Sequence, residues 1–202
     1  MSQAGGTSPV SAGPAARLSP CEGALDAKAS GATRRILEAM KVLGIDPGLA
    51  STGFGVVARR AGRVVALDGG VVATASGAAV EARLALLHER VEVLLAEHRP
   101  DAVALEALFF GRNARSAFAV GQARGVVLLA AGQGGVPCVD YTPQQVKGAV
   151  CGSGRADKEQ VGRMVQALLS LPHPPHPDHA ADALAVAICH VNHAPLAAAR
   201  VA

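Results

Sequence analysis

From Lys41 onward the chain alternates between short apolar runs and longer stretches with helical spacing. The run KVLGID, residues 41–46, is apolar until its last residue and ends at Pro47-Gly48, as a buried strand does. STGFGVVARR (51–60) predicts a second strand, Ala61-Gly62 a tight turn, and RVVALDGGVVAT (63–74) a third strand. Strands joined by such short turns form an antiparallel meander. Val80, Leu84, Leu87, Val91, Leu94 and Leu95 then recur on one helical face, predicting a helix over 79–98. Pro100 breaks it before a fourth strand in RPDAVALEAL. Residues 113–132 predict a long apolar helix capped by Asn113, and GVPCVDY predicts a fifth strand. TPQQVKGAV opens a helix with Thr142 as cap and Pro143 at the first helical position. ADKEQVGRMVQALLSL is helical, PHPPHP is a stiff linker, and DHAADALAVAICHVNH is the last helix. A meander followed by two crossover strands makes an α/β fold: a five-stranded mixed sheet with helices on both faces.

Composition divides the chain. Residues 1–39 are dominated by Ala, Gly, Ser and Pro without lasting periodicity, which predicts a disordered N-terminal extension. Met40 stands directly before the first strand and is a candidate translation start. Residues 40–194 form the predicted folded domain and 195–202 a short tail. Half of the residues are hydrophobic and 17% are charged, which excludes disorder throughout. One Tyr, four Phe and no Trp argue against a sheet paved with base-stacking rings. The longest uncharged apolar-leaning run, from Gly125 to Val139, is too short to span a bilayer, and no basic start precedes an apolar stretch. Cys21, Cys138, Cys151 and Cys189 are widely spaced, which argues against a zinc site and fits a reducing cytoplasm. The net charge of +3 permits an anionic partner without demanding one.

The acids stand out by position. Asp46 ends an apolar strand, where an unpaired carboxylate is rejected unless it has a task, although a turn acid capping the hairpin fits too. Glu106 interrupts AVALEALFF, where an ion pair with an arginine is the plainer explanation. In the last helix Asp178 follows Pro177 and fits an N-cap, whereas Asp182 lies between alanines on a face that should pack on the sheet. Together these residues deliver carboxylates from two strands and one helix. Divalent cations need several oxygen ligands, and two such ions activate water and stabilise the leaving oxygen of a phosphodiester.

GIDPGLASTGFGVV, ALEALFFGRNARSAFAVGQARGV, YTPQQVKGAVCGSGRADKEQV and DHAADALAVAICH together resemble the RuvC family of Holliday-junction resolvases, in order from Val42 to His193. The resemblance implies an RNase H-like fold and a metal-dependent endonuclease that resolves four-way DNA junctions and leaves a 5′ phosphate. Asp46 and Glu106 match the family's strand acids, and Asp182 matches the second acid of its last-helix motif. His179 replaces the first acid of that motif. These four residues are therefore the expected catalytic and metal-holding set, for two Mg²⁺ or Mn²⁺ ions. An imidazole ligand favours Mn²⁺.

Phe109 matches the family position that wedges against unstacked junction bases, a device known to distort DNA. Lys147 and Lys158 match basic residues near the scissile phosphate. Arg112, Arg115 and Arg155, with Arg124 on the same helix as Arg115, are further candidates to line the DNA cleft. Phe118, in the apolar helix, is expected in the core. A two-fold symmetric junction calls for a homodimer, with the helix over 113–132 as its interface. A branch-migration helicase is the expected partner, and no membrane is. Two rivals remain. One is a catalytically inactive junction-binding module, suspected only through His179. The other is an actin- or sugar-kinase-like ATP-binding domain, which would need a second phosphate loop that the sequence lacks.

Overall fold

The computed structural model describes residues 40–107 and 114–198. Strands β1 (Lys41–Asp46), β2 (Ser51–Arg60), β3 (Arg63–Ala73), β4 (Ala102–Glu106) and β5 (Cys138–Tyr141) form one sheet in the order β3-β2-β1-β4-β5. The first three are antiparallel, and β4 and β5 run parallel to β1. Among the described residues there are five helices: α1 (Val80–His98), α2 (Ala114–Gln133), α3 (Pro143–Cys151), α4 (Lys158–Leu169) and α5 (Asp178–Ala198). This is the predicted mixed sheet, with helices on both faces. The expectations for residues 1–39, Phe109, Arg112 and Asn113 lie outside the described residues.

Alternation along the strands sorts two cores. Leu43, Ile45, Val103 and Leu105 face α1 and α2, against Leu87, Val91, Leu94, Ala123 and Val127. Val42 and Ala104 face α3, α4 and α5, against Val146, Val165, Leu184 and Ile188. The same period sends Asp46, four residues after Val42, and Glu106, two after Ala104, to the α5 side. Leu184 and Ile188 are almost fully buried, and burial of such side chains contributes ~1.5–3 kcal/mol each.

What brings α5 so close is the absence of side chains. A methyl group at Gly44 would overlap the Ala183 carbonyl, and one at Gly53 would overlap the His179 carbonyl. The alanines at 180, 181, 183, 185 and 187 are buried, and Ala187 faces Gly44 directly. Helix α5 also runs to Ala198, past the expected start of the tail. Pro195 has no N–H for the carbonyl four residues back, and the Arg59 guanidinium donates to that Val191 carbonyl instead at 3.0 Å.

Two packing expectations need correction. Phe118 is 70% exposed on α2. It lies nine residues from buried Val127, which is two and a half turns and hence the opposite face. Val80 is exposed in the first turn of α1, whereas Leu87, Val91, Leu94 and Leu95 are buried. Among the described residues no helix is long and apolar enough to cross a membrane.

Candidate metal centre and nucleic-acid cleft

The parallel pairing of β1 with β4 places Asp46 and Glu106 side by side, each one residue beyond the Ile45–Leu105 pair. Both therefore stand at carboxyl ends of adjacent strands, where α/β sheets commonly bind ligands. The turn after Asp46 is held by Thr52, whose hydroxyl donates to the Gly48 carbonyl at 2.7 Å. Asp46 is thus not needed as a turn cap, and its carboxylate faces the helix instead.

Helix α5 supplies the other groups from its first turns. His179 Nδ1 lies 2.6 Å from Asp46 Oδ2. Asp46, His179 and Asp182 each offer one donor atom, and the three atoms lie within 4.8 Å of one another. Burial raises the Asp182 pKa above the ordinary carboxylate value; the Lys158 ammonium opposes this and Asp46 adds to it.

Glu106 stands beside this triangle rather than in it. Its pKa is raised by burial first and then by the carboxylates of Asp46 and Asp182, while Lys147 and Lys158 pull it down. These neighbours replace the arginine pairing considered from sequence. Glu106, Lys147, Lys158 and Asp182 border a cavity of about 310 Å³, with Val146, Val161, Ala185 and Val186 as its apolar lining. A second, larger cavity of about 470 Å³ at the C-terminal ends of α1 and α2 contains none of these groups.

Lys158 is the first residue of α4, whose N-cap is Asp157. Its Nζ lies 3.2 Å from an oxygen of Asp182 and 3.2 Å from one of Asp178. Burial pulls the Lys158 pKa down, but Asp182 and Asp178 more than offset this and leave it raised. Asp178 is the first residue of α5 rather than the residue before it, and its carboxylate meets Lys158, so the simple N-cap expectation is incomplete.

The remaining basic candidates scatter. Arg155 is exposed in the turn between α3 and α4, where Gly152 closes α3 in the left-handed conformation. Arg115 lies in the first turn of α2. The Arg124 guanidinium bonds Asp140 Oδ1 at 2.5 Å and the Glu106 carbonyl at 3.3 Å, bracing the ends of β4 and β5. Sequence inspection missed this brace and the close-approach glycines of β1 and β2. The only sequence sign of the latter was small residues on β1, β2 and α5 alike.

Comparison with known proteins gives a consistent result. The family described as "Crossover junction endodeoxyribonuclease RuvC" matches residues 42–190. A crossover junction endodeoxyribonuclease RuvC of Thermomicrobium roseum is 54% identical over 155 residues, 76% of this chain and 94% of that protein. The structure of Thermus thermophilus RuvC aligns with a TM-score of 0.73 at 44% identity, covering 78% of this chain and 97% of that one. The same protein in complex with Holliday junction substrate aligns at 0.72 and 42%, covering 78% and 96%.

Proposed function

Because this chain belongs to the RuvC family of crossover junction endodeoxyribonucleases, we propose that it cuts four-way DNA junctions by paired, symmetric nicks at Asp46, Glu106, His179 and Asp182. The chain is an RNase H-like nuclease that acts on Holliday junctions and uses divalent metal ions. The observation that carries the site assignment is the convergence of Asp46, His179 and Asp182 beside Glu106.

The donor set fits such ions. Two of its carboxyl groups are half-buried with raised pKa values, each driven up partly by another carboxylate, and a divalent charge would relieve that repulsion. When bound, two ions supply the polarisation that makes water a nucleophile and steadies the leaving oxygen. Asp46 and Asp182 would hold them together with Glu106 and His179. The imidazole of His179 favours Mn²⁺ over Mg²⁺, since Mg²⁺ prefers oxygen throughout. Lys147 and Lys158, at the edge of the cavity, offset charge developing on the scissile phosphate.

Phe109, Arg112, Arg115 and Arg155 are assigned to DNA contact, Phe109 as a wedge between bases. Paired nicks on a two-fold symmetric substrate require two active sites, hence a homodimer. The outward apolar residues Phe118 and Leu129 of α2 support that helix as its interface. A branch-migration helicase and a cytoplasmic location complete the assignment. Incubation with a synthetic four-way junction and a matched linear duplex, each with Mg²⁺ or Mn²⁺, tests it. Cutting confined to the junction is expected; equal cutting of both, or binding without cutting in either metal, would sink it.

A further inference from the structure

Asp178 is an acid beside the site that the proposed chemistry leaves unused. It is absent from the converging donor set, and its carboxylate meets Lys158 in the open, 73% exposed. We infer that Asp178 is a positioning residue that keeps the Lys158 ammonium at the mouth of the cleft once a divalent cation occupies Asp182. The inference rests on the nuclease reading above and deepens it.

Asp178 and Asp182 are four residues apart on α5 and so share a face, one turn from each other. The Lys158 ammonium lies between them at equal distances. Its backbone is fixed, because Asp157 caps α4 through the Gln160 amide at 2.7 Å. Its side chain is not: the residue is 59% exposed on a flexible four-carbon stem. A cation held by Asp182 takes up the charge that attracts Lys158 on that side and repels the ammonium besides. Asp178, one turn further out, still attracts it. Lys158 then remains beside Glu106 and Lys147 at the cavity edge, facing the place of the phosphate, instead of swinging into solvent.

The test is a double-substitution cycle read by single-turnover cutting of a synthetic four-way junction at saturating Mn²⁺. Exposed ion pairs are weak, so Asp178→Asn should slow cutting about two- to five-fold. Mn²⁺ affinity, measured by calorimetry on the protein without DNA, should stay unchanged, and Asp178→Glu should restore the rate. Asp178→Asn should add nothing in a Lys158→Met background. That last arm matters because an acid in the first turn of a helix also has a purely structural benefit, which would be lost in both backgrounds. Three results would overturn the inference: an unchanged rate, an equal slowing of Lys158→Met, or weakened Mn²⁺ affinity, which would make Asp178 a ligand. A wild-type protein that cuts no junction would overturn the nuclease reading and this inference with it.

Discussion

Replacing Gly53 by Ala probes how the site is built. Gly53 lies in β2 beneath the first turn of α5, and an added methyl would overlap the His179 carbonyl and come within 3.0 Å of its Cβ. The obstructing atoms are mostly backbone and cannot rotate aside, so the start of α5 must lift from the sheet. Overpacking costs about 1–3 kcal/mol, and an unyielding neighbour puts this substitution near the upper end. For a domain of this size each kcal/mol moves the melting temperature by about 2–4 °C, so Gly53→Ala should melt ~6–12 °C lower. The same displacement carries His179 and Asp182 away from Asp46. Misplacement by about 1 Å can reduce catalysis on the order of 100-fold, so cutting should fall far more than the unfolded fraction explains. Gly162→Ala is the control. It lies in α4 with open space where the methyl would go, and helix interiors favour Ala over Gly by ~0.5–1 kcal/mol, so it should stabilise. Calorimetry and junction cutting at 25 °C (an assay choice of about room temperature, well below the usual melting range) read both effects. A Gly53→Ala protein melting within about 2 °C of wild type and cutting normally would refute the packing argument.

Asp46→Asn and Glu106→Gln should each abolish cutting yet leave junction affinity within about three-fold, since basic residues and not the acids carry DNA binding; a gel-shift titration checks this. With metal chelated, Glu106→Gln should raise stability in denaturant titration, because it removes a charge that burial and two carboxylates oppose. The raised pKa values of Glu106 and Asp182 mean that the folded state holds their protons more tightly than the unfolded state does. Their contribution is therefore present below the ordinary carboxylate range and lost as pH rises through the raised values. The chelated wild type should accordingly lose stability over that window, and Glu106→Gln should lose less; parallel curves would contradict it. Initial rates should be higher with Mn²⁺ than with Mg²⁺, and His179→Asp should narrow the difference; equal rates unaffected by the substitution would exclude His179 as a ligand.

The strands and most helix faces were legible because their signals are local. KVLGID and STGFGVVARR match β1 and β2 residue for residue, since each run is closed by a turn or a charge pair. Thr142 and Pro143 begin α3 as expected, with a full capping box to Gln145. Asp46 and Glu106 were conspicuous because each interrupts an apolar strand. What local pattern could not supply was which face of α2 turns inward. Phe118 and Val127 are equally apolar, and only packing against β4 and α1 distinguishes them. Arg124 was equally opaque, since any of several arginines could have met Asp140, and the choice depends on where α2 crosses the sheet. The approach of α5 to Gly44 and Gly53 joins positions more than 120 residues apart, a distance that no periodicity reports.

The central claim, paired symmetric incision at the Asp46–Glu106–His179–Asp182 centre, is tested most directly by mapping cuts on a four-way junction labelled on each strand in turn. Opposite strands should be nicked at matching positions, and the two nicked duplexes should be resealed by DNA ligase, as 5′ phosphates require. Unpaired cuts at unrelated positions, ends that ligase cannot join, or equal incision of a linear duplex of the same sequence would contradict the account.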